Sequence, residues 1–293
     1  MIPIVTPEEM NAVDEAAVEP TEVLIDRAAR AVARVAVEMM GGSYGRRVAV
    51  VAGPGNNGAD GRVASRHLER RGVRCRVYDV SAGLPGHIGG VDLVIDAAFG
   101  TGLARPFSFP SVDEGTAVLA VDIPSGVDGL TGGVVGRPAR ADRTVTFAAL
   151  KPGLVLEPGR SLAGEVTLVD IGLDTGQPRA EALEPSDLAA VLTARPADDH
   201  KWRSAVRVIG GSPSMTGAPC LAARAAQRAG AGLVQLAVPG GIGDAGPTEA
   251  VGYPLPGAAW GSEAVDTEPY LSDRGWALVI SPASAMCSRS NAP

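Results

Sequence analysis

Apolar residues fall into short continuous runs set among glycine-rich and polar segments. Thr6-Pro7-Glu8-Glu9 has the form of a capping box with proline at the first helical position, which predicts a helix start. In "TEVLIDRAARAVARVAVEMM", Leu24, Ala28, Ala31, Val32, Val35 and Met39 mark one helical face, and Gly41-Gly42 ends the run. "RVAVVAG" (47–53) is then apolar almost throughout, residues 60–71 read as a helix, and "RCRVYDV" (74–80) reads as a strand. "VDLVIDAAFG" (91–100) and "AVLAVDIPSG" (117–126) predict two more buried strands, with "TVTFAAL" and "EVTLVDIGL" further on. Strands apolar on both faces, separated by helical or crossover segments, imply a parallel sheet covered on both sides. The fold class expected is α/β, a Rossmann-like three-layer parallel sheet. The crossover between Pro106 and Ala117 is near the minimum for such a connection, so no full helix is expected there.

The polar segment "DTGQPRAEALEP", Asp174 to Pro185, breaks this pattern and predicts a domain boundary, with domains at 1–178 and 186–293. Ser186-Asp187 should cap a short helix. "VRVIGGSPSMTGAPCLAARAAQRAGAGLVQLAVPG" then repeats the strand, glycine loop, helix and strand order. After Pro239 the chain turns loop-rich, with one more strand at "WALVIS".

Composition narrows the class. The chain has 293 residues, 45% apolar and 20% charged, with 4% aromatics and abundant glycine (38) and proline (23), which suits an Ala/Val-rich α/β protein with tight loops. A net charge of −7 argues against a nucleic-acid partner, whose binding surfaces are basic. No signal-peptide pattern opens the sequence and no apolar run reaches membrane-spanning length, so no membrane partner and a cytoplasmic location are expected. Cys75, Cys220 and Cys287 lie far apart and read as buried reduced thiols, and His67, His87 and His200 show no zinc spacing. The sequence leaves oligomeric state open, a homo-oligomer included.

In an open parallel sheet, ligands gather at the carboxyl ends of the strands. The first strand delivers Gly53-Pro54-Gly55-Asn56-Asn57-Gly58-Ala59-Asp60 there. The third delivers Asp96 and then Gly100-Thr101-Gly102-Leu103-Ala104-Arg105-Pro106, and the fourth delivers Asp122 and then Pro124-Ser125-Gly126. One carboxylate, one amide oxygen and one hydroxyl, from Asp96, Asn57 and Ser125, make a hard, weakly charged donor set that suits a large, loosely held cation. A glycine turn at a helix N-terminus suits a pyrophosphate, and Arg105 offers a bidentate phosphate contact.

"GPGNNGADG", "VIDAAFGTGLARP", "VLAVDIPSGVDGLTG" and "TVTFAALKPGL" resemble, in order and spacing, the motifs of NAD(P)H-hydrate epimerases across residues 1 to 175. "HKWRSAVRVIGGSPSMTGAPCLAARAAQRAGAGLV" resembles the start of the ribokinase-like, ADP-dependent NAD(P)H-hydrate dehydratase domain. The resemblance implies a metabolite-repair isomerase that interconverts the R and S epimers of hydrated NADH and NADPH. By position, Asn57, Asp96 and Ser125 would bind a potassium ion. Asn56, Asn57, Gly58, Ala59 and Asp60, the stretch Gly100, Thr101, Gly102, Leu103, Ala104, Arg105 and Pro106, and Asp122 would contact the hydrated nucleotide. Asp122 is the candidate general acid and base, since the apolar "LAV" before it should bury its carboxyl and raise its pKa. Lys151 reads as a solvated loop lysine, and as a weaker candidate for a phosphate or catalytic contact.

Two departures stand out. Ala59 replaces the family's usual glycine, which costs nothing if the position is helical. The glycine-rich nucleotide loop and catalytic segment of the dehydratase do not appear, so that part is expected to be truncated near Ser281 and inactive, with ADP its cofactor if complete. Gly53-x-Gly55-x-x-Gly58 with Asp79 is also a dinucleotide fingerprint, so a Rossmann-type NAD-dependent oxidoreductase is the main alternative. Under the epimerase reading Asp79 is a solvated strand-end residue. A non-catalytic nucleotide-binding protein is the third reading.

Overall fold

The computed structural model describes residues 1–103, 105–192, 194, 197–212, 215–239, 241 and 246–253, together with the backbone of 277–280. It divides into two compact units, Met1–Leu192 and Thr193–Pro293.

The first unit opens with β1 (Ile2–Ile4), α1 (Pro7–Glu15) and α2 (Thr21–Met39). Thr6 caps α1 through the expected box: Glu9 N donates to Thr6 Oγ1 at 3.2 Å and Thr6 N to Glu9 Oε2 at 2.8 Å. The two helices are separate because Pro20, at the N-cap of α2, disfavours helical backbone in the residue before it. β2 (Arg47–Ala52), α3 (Asn56–Glu69), β3 (Arg74–Asp79), β4 (His87–Ile88), β5 (Leu93–Ala97), β6 (Phe107–Ser108), β7 (Ser111–Val112) and β8 (Ala117–Val121) follow. Beyond them come β9 (Gly136–Arg137), β10 (Arg143–Phe147), α4 (Pro152–Val155), α5 (Gly159–Ala163), β11 (Glu165–Val169), β12 (Ala180–Ala182) and α6 (Pro185–Val191).

Six strands form one sheet in the order β11-β10-β8-β5-β2-β3, every neighbouring pair parallel. Alternation sends Val48, Val50, Leu93, Ile95, Leu119 and Val145 to one face, where Ala28, Val32, Val35 and Ala36 of α2 and Ala64 and Leu68 of α3 cover them. The other face carries Ala49, Val51, Val94, Val118 and Ala120. Two kinds of cover shield it. The short helices α4 and α5 pack near β11, with Ala163 and Leu154 beside Val166. Extended segments cover the rest, including the pairs β4–β7 and β6–β9, which bring Ile88 and Phe109 onto the sheet. Among the described residues the Pro106–Ala117 crossover holds no helix, as its length implied.

One pairing departs from the expected boundary. β12, inside the polar segment read as a linker, runs antiparallel to β1, pairing Ile2 with Ala182 and Ile4 with Ala180. The first compact unit therefore extends past 178 and takes in the short helix α6 as well.

In the second unit β13 (Ala205–Ile209), α7 (Gly217–Arg228), β14 (Leu233–Ala237), β15 (Val251–Gly252) and β16 (Ala277–Ile280) form a parallel sheet in the order β15-β14-β13-β16. Val208, Val234 and Leu236 pack on Cys220 and Ala223 of α7. Gly210, Gly211 and Ser212, in the glycine loop after β13, precede residues outside the described set. Cys75 is half-buried, and burial pushes its thiol up to about 12. Cys287 lies outside the described residues. Among these residues no helix is long and apolar enough to cross a membrane.

Candidate functional site

Because β2, β5, β8 and β10 are parallel neighbours, their carboxyl ends open side by side. Glycines let the loops interlock. A Cβ on Gly53 would land on the Ala98 carbonyl, and one on Gly58 would land on the Gly53 carbonyl, so neither turn has room for a side chain. Arg62 braces the first turn, donating from Nη1 to Gly53 O at 2.8 Å. Ala59 sits within α3 with no left-handed backbone, so alanine is free of the glycine penalty there. α3 begins at Asn56 with Gly55 as N-cap and no side-chain cap, leaving its first amides for another partner.

Three of the predicted groups meet at Gly100. A Cβ built there would stand 3.0 Å from Asp122 Oδ2 and 3.7 Å from Asn57 Cγ, so the loops after β2, β5 and β8 converge on one point. Both amide atoms of Asn57 are buried and bonded to nothing. Such groups cost on the order of 1–3 kcal/mol when unsatisfied, which marks a place for a ligand.

Asp96 and Ser125 lock the loops after β5 and β8 together. Asp96 is fully buried and Ser125 is 1% exposed. Ser125 Oγ donates to Asp96 Oδ1 at 2.5 Å, Ser125 N to Asp96 Oδ2 at 2.8 Å, and Phe99 N to Ser125 Oγ at 2.8 Å. Burial raises the Asp96 carboxyl to about 6, and the hydrogen bonds from Ser125 and Ala98 oppose it.

The surroundings of Asp122 differ from the apolar pocket expected. Lys151, read from sequence as a solvated loop residue, is 1% exposed. Its Nζ donates to Asp122 Oδ1 at 2.5 Å, to Thr146 Oγ1 at 2.9 Å and to Phe147 O at 3.0 Å, which uses all three ammonium protons. It therefore has no proton left for a phosphate. Thr146 Oγ1 also lies 3.2 Å from Asp122 Oδ1, while Oδ2 faces Gly100. Asp122 has φ 68°, a left-handed backbone that aspartate tolerates better than most residues. The turn after β10 repeats the shape at Ala148, φ 61°. Ala has no such tolerance and costs about 1 kcal/mol there. The two turns set the Asp122 and Lys151 loops side by side.

Asp60 is 7% exposed, and no donor among the described residues reaches its carboxyl. Burial first, then the charges of Asp122 and Asp14, push it up to about 8. Asp14, at the end of α1, is itself raised by burial and by Asp122, with Lys151 opposing. Sequence reasoning missed Asp14, which belongs to no motif, and Thr146, which lies inside "TVTFAALKPGL" with nothing in the sequence to mark its role.

The remaining predicted residues are peripheral. Asn56, Gly102, Arg105 and Pro106 are exposed, Thr101 and Leu103 half-buried, and Ala104 lies outside the described residues. Thr101 packs near Gly129, whose built Cβ would be 3.2 Å from Thr101 Cγ2. Asp79 ends β3 with its side chain partly exposed, as read from the sequence, and it is also well partnered. It accepts from Ser81 Oγ at 2.5 Å, Ser81 N at 2.8 Å and Arg62 Nη2 at 2.5 Å, and these bonds hold its carboxyl down to about 2. A fingerprint acid engaged in this way makes a poor ribose ligand, which weakens the oxidoreductase reading. A surface depression lined by Asp113, Thr116, Arg140 and Asp142 lies at the amino end of β8 and carries none of these groups.

The family model of the YjeF-related protein N-terminus matches residues 21–83 and 79–153, the stretch that builds this site. The first unit belongs to the YjeF-related N-terminal family. Curated relatives of this YjeF-related chain share one name, bifunctional NAD(P)H-hydrate repair enzyme Nnr. That of Moorella thermoacetica is 35% identical over 289 residues, 82% of this chain and 54% of that protein. That of Thermofilum pendens is 35% identical over 260 residues, 74% and 48%. That of Mycobacterium leprae is 36% identical over 247 residues, 74% and 51%. The chain spans about half the length of the curated relatives it matches. The crystal structure of the yeast protein ynu0 aligns with a TM-score of 0.45 at 19% identity, over 60% of this chain and 96% of that one.

Proposed function

We propose that the YjeF-related unit is an NAD(P)H-hydrate epimerase, acting on hydrated NADH and NADPH. The observation that carries this reading is the meeting at Gly100 of an Asp122 carboxyl fixed by Lys151 and an Asn57 amide left without a partner. The relatives' shared name, hydrate repair, agrees with it.

The uncapped start of α3 takes the pyrophosphate, and Gly100 and Thr101, at the start of the next loop, contact the nucleotide. Hydration leaves a hydroxyl on C6 beside the ring nitrogen, whose lone pair expels it. Water returning on the opposite face inverts the centre. Asp122 Oδ2, with Oδ1 held by Lys151, is the group that takes a proton from that water.

Asn57 Oδ1, buried and bonded to nothing, and the Asp96–Ser125 oxygen pair fit a monovalent cation of low charge density. Among the described residues no group of three or more His, Cys, Asp or Glu side chains is placed to hold a metal. Bound there, a potassium ion would supply positive charge beside the loops that carry these oxygens. These residues would hold it.

Incubating the chain with the S-hydrate and following the R-hydrate by chromatography tests the reading. Interconversion faster than the buffer blank, and faster in potassium than in lithium chloride, is expected. No acceleration over the blank overturns it. The same assay with ADP, read by the return of reduced-nicotinamide absorbance, asks whether the second unit adds a dehydratase.

A further inference from the structure

Resting on the epimerase reading, the cycle needs a proton for the departing hydroxyl as well as a base for the incoming water. Asp122 is half of an ion pair with a lysine that is itself 1% exposed. As a carboxylate, Asp122 can receive a proton from the arriving water, and the proton for the departing hydroxyl is left to another group. Asp60 shares the first turns of α3 with Asn57, three positions on and so on the same side of the helix. It is 7% exposed, with no hydrogen-bond donor among the described residues. A charged carboxylate in that position is costly, and a neutral acid is not. Asp122 and Asp14 are close enough for their charges to oppose its ionisation, and with burial they bring it up to about 8. Lys151, which faces Asp122 and Asp14, is not among the groups that act on Asp60.

We propose that Asp60 is the second catalytic residue, the acid that protonates the departing C6 hydroxyl while Asp122 serves as base for the water arriving on the other face. In the forward step the C6–O bond breaks, the oxygen leaves as water with the proton of Asp60, and the ring-nitrogen lone pair becomes the π bond of an iminium. Water then forms a new C6–O bond, its proton passes to Asp122, and the lone pair returns to nitrogen. Asp60 ends one proton short and Asp122 one proton up, and exchange with solvent restores both. The reverse epimerisation runs with the roles exchanged.

The test uses the full chain with NADH S-hydrate and R-hydrate, and compares wild type with Asp60→Asn and Asp60→Glu. Hydrate binding is measured by calorimetry and folding by circular dichroism. Asp60→Asn keeps the shape and loses the acid. It should slow epimerisation about 100-fold or more in both directions while hydrate affinity stays within about threefold. Asp60→Glu, which keeps the acid and changes only its reach, should recover at least about a tenth of the wild-type rate. Wild-type speed in folded Asp60→Asn, a rate loss explained by lost hydrate binding, or an Asp60→Glu as inert as Asp60→Asn overturns the assignment. Failure of wild type to beat the buffer blank, read before any variant, instead overturns the epimerase reading itself.

Discussion

Lys151→Met leaves the Asp122 carboxyl and the Thr146 hydroxyl beside a thioether in place of an ammonium. The side chain removed is 1% exposed and makes three hydrogen bonds, of 2.5, 2.9 and 3.0 Å. Taking one partner from a buried ion pair costs about 3–5 kcal/mol, most of it the uncompensated charge left behind. For a unit of this size each kcal/mol moves the melting temperature by about 2–4 °C, so a fall of roughly 6–20 °C is expected. Asp122→Asn in the same background removes that stranded charge. The double variant should therefore be more stable than the sum of the two single losses predicts, by about 1–3 kcal/mol. Chemical unfolding of the four proteins measures the cycle. At a temperature where Lys151→Met is folded, epimerisation should be about 100-fold slower, because the carboxyl is no longer held in place. Single losses that add to within about 0.5 kcal/mol would show that the two side chains are not coupled, and the argument for a fixed Asp122 would fail.

Gly100→Ala places a methyl 3.0 Å from Asp122 Oδ2 in a backbone conformation open to any residue, so it should fold like wild type and lose hydrate affinity, read as a raised KM. Asp60→Asn should be the more stable protein at neutral pH. The folded carboxyl titrates near 8 and the unfolded one near 3.8, so wild type loses stability as pH rises between those values. At about 1.4 kcal/mol per pH unit the difference approaches an order of 4 kcal/mol at pH 7 and vanishes near pH 4, and parallel unfolding curves across that range would refute it. Asp79 shows the opposite sign. Its folded carboxyl is held at about 2, so its contribution is present above about pH 4 and lost as the pH falls to about 2. Asp79→Asn should flatten acid unfolding in that window, measured by circular dichroism.

Long buried strands announced themselves, because both faces of β2, β5 and β8 are covered and each is apolar but for Arg47 at the start of β2 and Asp96 near the end of β5. β1 and β12 did not. "IPI" and "AEA" carry no periodic signal, and only the pairing reveals them. Loop motifs were legible for the same reason that they matter, since glycines and oxygen side chains at strand ends are rare in a core. Lys151 was misread because a lysine before proline in a loop is ordinarily solvated. Its burial depends on oxygens of Asp122, just past β8, and Thr146 in β10, 29 and 5 positions away. Asp60 likewise looked like one more polar residue in a ligand loop. Only packing shows that nothing donates to it.

The antiparallel pairing of residues 2–4 with 180–182 brings the two ends of the first unit into register. During synthesis the opening strand must wait for almost the whole unit to leave the ribosome before it finds its partner. The same closeness makes the unit a candidate for circular permutation, with the old ends bridged by a few residues and new ones opened in an exposed loop away from Gly100.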